Sequence, residues 1–410
     1  MRGPQLVFAV ACAGLIGGVS LQGWRSAPLS APVDIESLPS PAGAGSAEPN
    51  LAVGRDGRVY LSWFEPTPDS LFTLRVASFD GRQWSTPGTV RTGRDFFVNW
   101  ADFPSLAVLA DGRLAAHWLQ RTGKATYAYG VRIAMSSNGG ATWGAPITPH
   151  DDSSATEHGF VALWPDGDDL GAAWLDGRKY DKDRRSPSNE MTVMSRVIGG
   201  GKSAETLLDG RACDCCQVSA AVTADGPIVA YRDRTADEIR DIYVVRRVNG
   251  RWTEPAAVYQ DGWHIAACPV NGPAVDANGR DVALAWFTAA GDSARVKLAF
   301  SSNAGAGFGP PVRIDDGAPG GRVDVQLLPD GAALVSWIER VGGDTAAVRA
   351  RRVSRAGERG EAITIAASSA ARASGFPRMA RSGGHIYFVW TQPGRPSWVR
   401  AARLSISALR

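Results

Sequence analysis

The chain has 410 residues, 44 of them Lys or Arg and 41 Asp or Glu, for a formal net charge of +3. So close a balance provides no field to gather nucleic acid or anionic lipid. Hydrophobic residues at 44% and 14 Trp can build an extended core, and at this length two or three domains would be usual.

The chain begins as an exported protein does. Arg2 precedes an apolar run from Leu6 to Leu21, and a polar, Pro-rich stretch follows to Pro49. Residues 1–23 therefore read as a signal peptide or an N-terminal anchor, and 24–48 as a linker. The run is short for a stable transmembrane helix. Cys12 after Val10-Ala11 bears a faint likeness to a lipidation site. The expected location is periplasmic or extracellular, with membrane contact only through this segment. Beyond the leader remain Cys213, Cys215, Cys216 and Cys268, an even set for which an oxidising compartment favours disulfides.

From residue 49 the chain repeats. Seven times an apolar strand meets an Asp-Gly-type turn and a second strand ending in an aromatic: Trp63, Trp118, Trp174, Tyr231, Trp286, Trp337 and Trp390. Neighbouring markers differ in number by 55, 56, 57, 55, 51 and 53. Alternation of period two within each unit favours a propeller over a helical solenoid and predicts four strands per unit. In the second unit these are Ser105–Leu109, Arg113–Trp118, Val131–Ser136, and a segment through Trp143 to Ile147. The expected fold is all-β, a β-propeller over 49–410 with seven four-stranded blades, six being the alternative. The seventh unit supplies only three strands, and Val33–Leu38 is the candidate for its missing outer one. Such pairing of the termini would close the ring and remove exposed edges.

Two turns carry a motif. Ser136-Ser137-Asn138-Gly139-Gly140-Ala141-Thr142-Trp143 resembles the Asp-box of sialidases and related propellers, with Asn for Asp, and Ser301–Phe308 is a weaker copy. The resemblance implies a sialidase-like propeller in which these turns are structural and lie opposite the functional face. The stretch resembling Phe-Arg-Ile-Pro that sialidases carry is missing before the first box. The resemblance therefore assigns no catalytic set, although a Tyr/Glu nucleophile pair and a clamp of arginines are what it would imply.

Strand polarity places the long second-to-third and fourth-to-first strand loops on one face, where grafted chemistry is expected. One of these loops carries Cys213, Cys215 and Cys216, and the next carries Cys268. Two readings stand: disulfides pinning adjacent loops, or a thiolate site for Cu or Zn, with His264 or His158 as nitrogen ligands. A redox-active pair is a third. The second constellation is charged and aromatic. Asp176 and Asp233 end equivalent strands and are the candidate catalytic carboxylates, with His158 as a candidate base. Arg178, Arg232, Arg234, Trp100 and Asp102 are candidate ligand-binding residues for an acidic sugar. The plainer reading is a set of solvated loops joined by surface ion pairs. The expected function is ligand binding at the channel mouth, with glycoside hydrolysis and a protein-interaction scaffold as alternatives.

Overall fold

The computed structural model describes residues 33–180 and 189–409. The expected leader falls within the undescribed residues 1–32, and most of the charged loop after Tyr180 falls in the undescribed residues 181–188. Among the described residues no helix is long and apolar enough to cross a membrane.

Seven antiparallel sheets form, one per repeat unit. Blade 1 runs from Ala47 to Gly93 and blade 2 from Ser105 to Ile147. Blade 3 spans His158–Ala212, blade 4 Ser219–Tyr259, blade 5 Ala274–Arg313, and blade 6 Pro319–Ser369. Blade 7 combines Arg378–Ser382, His385–Gln392 and Trp398–Ser405 with an outer strand from the other end of the chain, Glu36–Leu38. Glu36 pairs with Arg403 and Leu38 with Ala401, so the two termini close the ring within one sheet. The turn between first and second strands holds a positive-φ Gly in every blade, from 56° at Gly383 to 129° at Gly226. That backbone region penalises any Cβ, which explains the regular Gly.

The marker aromatics sit where sheets face one another. Trp63 packs between blades 7 and 1, Trp118 between 1 and 2, and Trp174 between 2 and 3. Tyr231, Trp286, Trp337 and Trp390 continue the series around to blades 6 and 7. Each apolar face thus meets a neighbour, and no blade is left outside the ring. Six of the seven markers are 1% exposed or less. A buried Trp of this kind contributes a large share of the area removed from water at each junction.

Two blades depart from the four-strand pattern in the same way. In blade 2 the expected fourth strand is reduced to a mutual pair of bonds between Ile133 and Ile147 and a single bond from Gly144 N to Met135 O. Pro146 and Pro149 flank that contact and have no N–H for a ladder. His150 substitutes, its Nε2 accepting the Val131 N–H at 3.2 Å. In blade 5, after Pro310-Pro311, the fourth strand is only Val312–Arg313, and Asp315 Oδ1 accepts the Val296 N–H at 2.7 Å.

A channel of about 370 Å³ runs along the axis, lined by the innermost strands of all seven blades. Innermost strands of adjacent blades share no ladder, so their inward amides need other acceptors. Side chains supply them. Asp102 Oδ1 accepts from Phe160 N (2.8 Å), Ser219 Oγ from Val275 N (3.1 Å), and Asp276 Oδ2 from Leu327 N (2.7 Å). Asp324 Oδ2 takes Met379 N (2.7 Å) and Gln326 Oε1 takes Arg381 N (3.1 Å). Each bond latches one blade to the next.

Both motif turns fold alike. Ser136 Oγ accepts from Gly140 N at 2.9 Å and Asn138 Oδ1 from Thr142 N at 2.9 Å. The weaker copy repeats this, with Gly305 N on Ser301 Oγ and Gly307 N on Asn303 Oδ1, both at 3.0 Å.

Candidate functional site

The short, regular turns occupy one face and the long loops the other. The loop from Ala212 to Ser219 leaves blade 3 with Cys213 N bonded to Arg232 O at 2.9 Å, which fixes where the sulfurs start. Cys213 Sγ lies 2.7 Å from Cys216 Sγ and 3.8 Å from Cys215 Sγ. Cys268, exposed on the next loop, brings its sulfur to 4.0 Å from Asp214 Oδ1. Asp214, Cys215 and Cys268 form one group of candidate ligand atoms within 4.8 Å, and Cys213, Cys215 and Cys216 form another. All four thiols are free, so the structure holds no disulfide among the described cysteines. Burial pushes the Cys213 thiol up, but hydrogen bonds from Cys215 and Cys216 and the charges of Arg240 and Arg232 hold it well below the usual value. Arg240 Nη1 is 3.4 Å from that sulfur and 3.3 Å from Asp214 Oδ1.

The candidate nitrogen ligands lie apart from this cluster. His264 is exposed, with its backbone bridged to Ile239. His158 is buried in a different group, its Nε2 2.9 Å from Asp152 Oδ2 and 3.6 Å from Asp176 Oδ1. Its ring stacks on His150 at 4.1 Å. Burial presses His150 down to about 4, so that ring is neutral at pH 7.

Asp176 is fully buried and committed. Arg178 grips it with two bonds, Nε–Oδ1 at 2.8 Å and Nη2–Oδ2 at 2.7 Å, and Trp174 Nε1 donates to Oδ2 at 2.9 Å. Arg178 spends its remaining arm on Glu205 at 2.8 Å. Arg232 is likewise consumed, donating to the carbonyls of Asn271, Arg240 and Phe287 and lying 4.8 Å above the Trp263 ring. Arg234 pairs with Glu238 through Nε and Nη2, the closest contact being 2.6 Å. The guanidinium groups expected to clamp a ligand therefore hold protein groups. Asp233 differs. Burial, with Asp209 and Asp241 nearby, raises its carboxyl to about 7.

A second acidic group lies beside the channel. Asp102 is buried, and desolvation raises it to about 8 despite the bond from Phe160 N. Its Oδ2 lies 3.3 Å from Tyr129 Oη, and that hydroxyl donates to Glu157 Oε1 at 2.7 Å. Gly159 makes this approach feasible, because a Cβ there would stand 2.1 Å from Asp102 Oδ2. Glu48 Oε2 is buried nearby without a hydrogen-bond partner, and burial raises that carboxyl too. Tyr129 is 1% exposed and Glu157 5%, so this Tyr–Glu pair is sealed from solvent. Tyr129 was hidden in the sequence because it reads as an ordinary strand residue.

Trp100 lies partly exposed at the mouth. Phe376 stacks on it at 5.9 Å, and the guanidiniums of Arg322 and Arg372 sit 4.8 and 5.9 Å from its ring. Arg322 is buried and bonds to Ser374 Oγ and to the carbonyls of Ala371 and Gly375. Arg372 is exposed. Neither Arg372 nor Phe376 belongs to a sequence motif; the fold alone brings them to Trp100.

No family model and no curated protein matches the chain. Solved structures do. A protein of unknown function from Dyadobacter fermentans is 14% identical, with 90% of this chain and 98% of that one covered, at a TM-score of 0.51. An ulvan lyase of polysaccharide lyase family PL25, bound to -[GlcA(1-4)Rha3S]-, is 11% identical over 90% and 96% of the two chains, at 0.58. An endosialidase of phage phi92 is 10% identical over 91% and 69%, at 0.50. At these identities the likeness is one of fold, the β-propeller.

Proposed function

We propose that this sialidase-like propeller binds an anionic glycan on its long-loop face, beside the channel mouth. The observation that carries the reading is partly exposed Trp100 with the exposed guanidinium of Arg372 over its ring, and Phe376 stacked against it. A sugar presents an apolar C–H face to an aromatic ring, and a guanidinium meets carboxylate or sulfate through two parallel bonds. The PL25 lyase of the same fold holds a glucuronate-containing, sulfated glycan, which makes that class the first to test. The assay is binding of uronate-bearing and neutral oligosaccharides to the purified protein. Arg372→Ala should weaken uronate binding about tenfold, the size of a charge-assisted hydrogen bond, with the melting temperature unchanged. Wild-type affinity in that variant would remove the platform from the reading.

Asp233 favours a second reading, cleavage of the same glycans. A carboxyl raised to about 7 is protonated for part of the time at neutral pH and suits a proton donor. Turnover should then fall as pH rises through 7, and Asp233→Asn should abolish it without loss of stability. A fully active Asp233→Asn protein excludes that role. For the N-terminal segment we propose export; N-terminal sequencing of protein recovered outside the cytoplasm should find a start near residue 24, and a start at Met1 would mean an uncleaved anchor.

A further inference from the structure

The sulfur cluster plays no part in the glycan platform and calls for its own account. We propose that Cys213, Cys215 and Cys216 bind one thiophilic d10 metal ion, Cu(I) or Zn(II), with Cys268 on the open side as the additional ligand. Three of the sulfurs lie within 4.8 Å of one another, and Cys215 also shares a group of that size with Cys268. The 3.8 Å between Cys213 and Cys215 matches the edge of a thiolate set around one ion, about 3.8 Å for a metal–sulfur bond of about 2.3 Å, whereas Cys216 at 2.7 Å from Cys213 must move out by about 1 Å to take its place in that set. Cys213 and Cys216 also stand at the C-x-x-C spacing that ligand pairs use.

The surroundings are built and held. Gln217 Oε1 accepts from Gly272 N at 2.9 Å, tying the two Cys-bearing loops together, and its Nε2 donates to Ala101 O of the loop before blade 2 at 2.7 Å. Arg232 adds bonds to Asn271 O and Arg240 O. These loops are therefore pinned without a covalent staple, and Cys268 joins the group through Cys215 and Asp214. The charge also fits. Three thiolates around Cu(I) leave two negative charges, and Arg240 approaches the cluster at 3.4 Å from Cys213 Sγ. Arg240 is anchored in turn by Glu238 at 2.9 Å, so its position is fixed before any ion arrives. Cys268 is exposed and Cys215 partly so, which leaves an entry path. Each ligating thiol gives up one proton to solvent and no electron moves, so binding releases protons and weakens in acid.

The two ions differ in what they ask of Cys268. Cu(I) is satisfied by three thiolates, whereas Zn(II) takes four ligands. The experiment uses the full chain, recovered without reductant and weighed both denatured and native. Cu(I) and Zn(II) are then each titrated against a competing chelator. The expected result is every cysteine thiol intact by denatured mass and one metal ion by native mass. Cys215→Ser should lower affinity for either ion by about 100-fold or more, the upper range for losing even an outer-shell partner. Cys268→Ser separates the two: Zn(II) weakens by a similar factor while Cu(I) is retained. Near-ultraviolet circular dichroism of both variants establishes that the fold persists. A denatured mass short by two or four hydrogens with no metal adduct would overturn the proposal in favour of disulfides. Intact thiols that bind neither ion more tightly than the chelator would overturn it as well. Binding of uronate oligosaccharides to Cys215→Ser is read separately, so loss of the metal site and loss of the glycan site are distinguishable.

Discussion

Asp176 does in blade 3 what Glu65 and Glu339 do in blades 1 and 6. Each carboxylate lies two residues after a marker Trp and accepts its indole N–H, at 2.9 Å from Trp174, 2.9 Å from Trp63 and 2.5 Å from Trp337. Glu65 also accepts from Gly43 N at 3.0 Å and Glu339 from Ala318 N at 2.6 Å, so the acid links the blade to the loop that enters it. Two residues on in a strand is the same side, which is why this spacing works. Blades 2 and 7 carry Gln120 and Gln392 there, and in both the indole nitrogen is buried without a partner. The sequence showed Asp176 at a strand end but not this use, since the pattern emerges only when second strands are aligned by their role in the ring. Asp102 makes the residue-scale prediction. Its folded-state carboxyl is raised to about 8, against about 3.9 unfolded. Between those values the folded protein binds more protons than the unfolded chain, so this residue's contribution is complete below pH 4 and is lost as pH rises toward 8. The loss runs at up to about 1.4 kcal/mol per pH unit. Asp102→Asn keeps an acceptor for Phe160 N and should flatten that part of a denaturation-versus-pH curve. A slope that survives in the variant would assign it to another raised carboxyl, Glu48 or Asp233.

At the level of elements, the weaker motif turn is as fully formed as the stronger one. Ala304 occupies a positive-φ position (58°) where the first box has Gly139 at 68°. The next residue tolerates less. Gly305 has φ of 78°, and a Cβ there would lie 2.4 Å from Ile228 Cδ1 of the neighbouring blade. Gly305→Ala should therefore cost about 2 kcal/mol, from left-handed backbone strain plus overpacking. Chemical denaturation would measure it, and a change under about 0.5 kcal/mol, the usual range for a neutral surface substitution, would mean the turn is not so constrained. The box was legible in sequence because its turn chemistry is local. The missing fourth strand of blade 2 was not: Trp143 and Ile147 kept the apolar pattern, while Pro146 and Pro149 removed the donors.

For the whole molecule, the number of blades and the closing strand could be read from the 51–57-residue period and the one strand lacking at the C-terminal end. The blade-to-blade latches at the axis could not, because Asp276 and Leu327 are 51 residues apart and only the ring makes them neighbours. For the same reason Cys213 through Cys268 was visible as a cluster but Arg372 beside Trp100 was not. Closure also yields a prediction. Glu36–Arg403 is an exposed ion pair at 2.8 Å whose loss alone should change stability by less than about 1 kcal/mol. Removing residues 33–38 is different, since it bares the edge of Trp398–Ser405 and strips Val33 and Ile35 from the cluster between blades 6 and 7. The truncated protein should melt earlier and elute as larger species, and an unchanged melting curve and elution volume would show that the ring does not depend on this strand.

That closing strand is only three residues long, while the other two pairings in blade 7 run along five and eight. A force drawn through the N-terminus reaches the ring first at Glu36, and the load falls on that short seam before any other strand bears it. Tension on the N-terminal segment should therefore open this three-residue pairing before the longer pairings of blade 7.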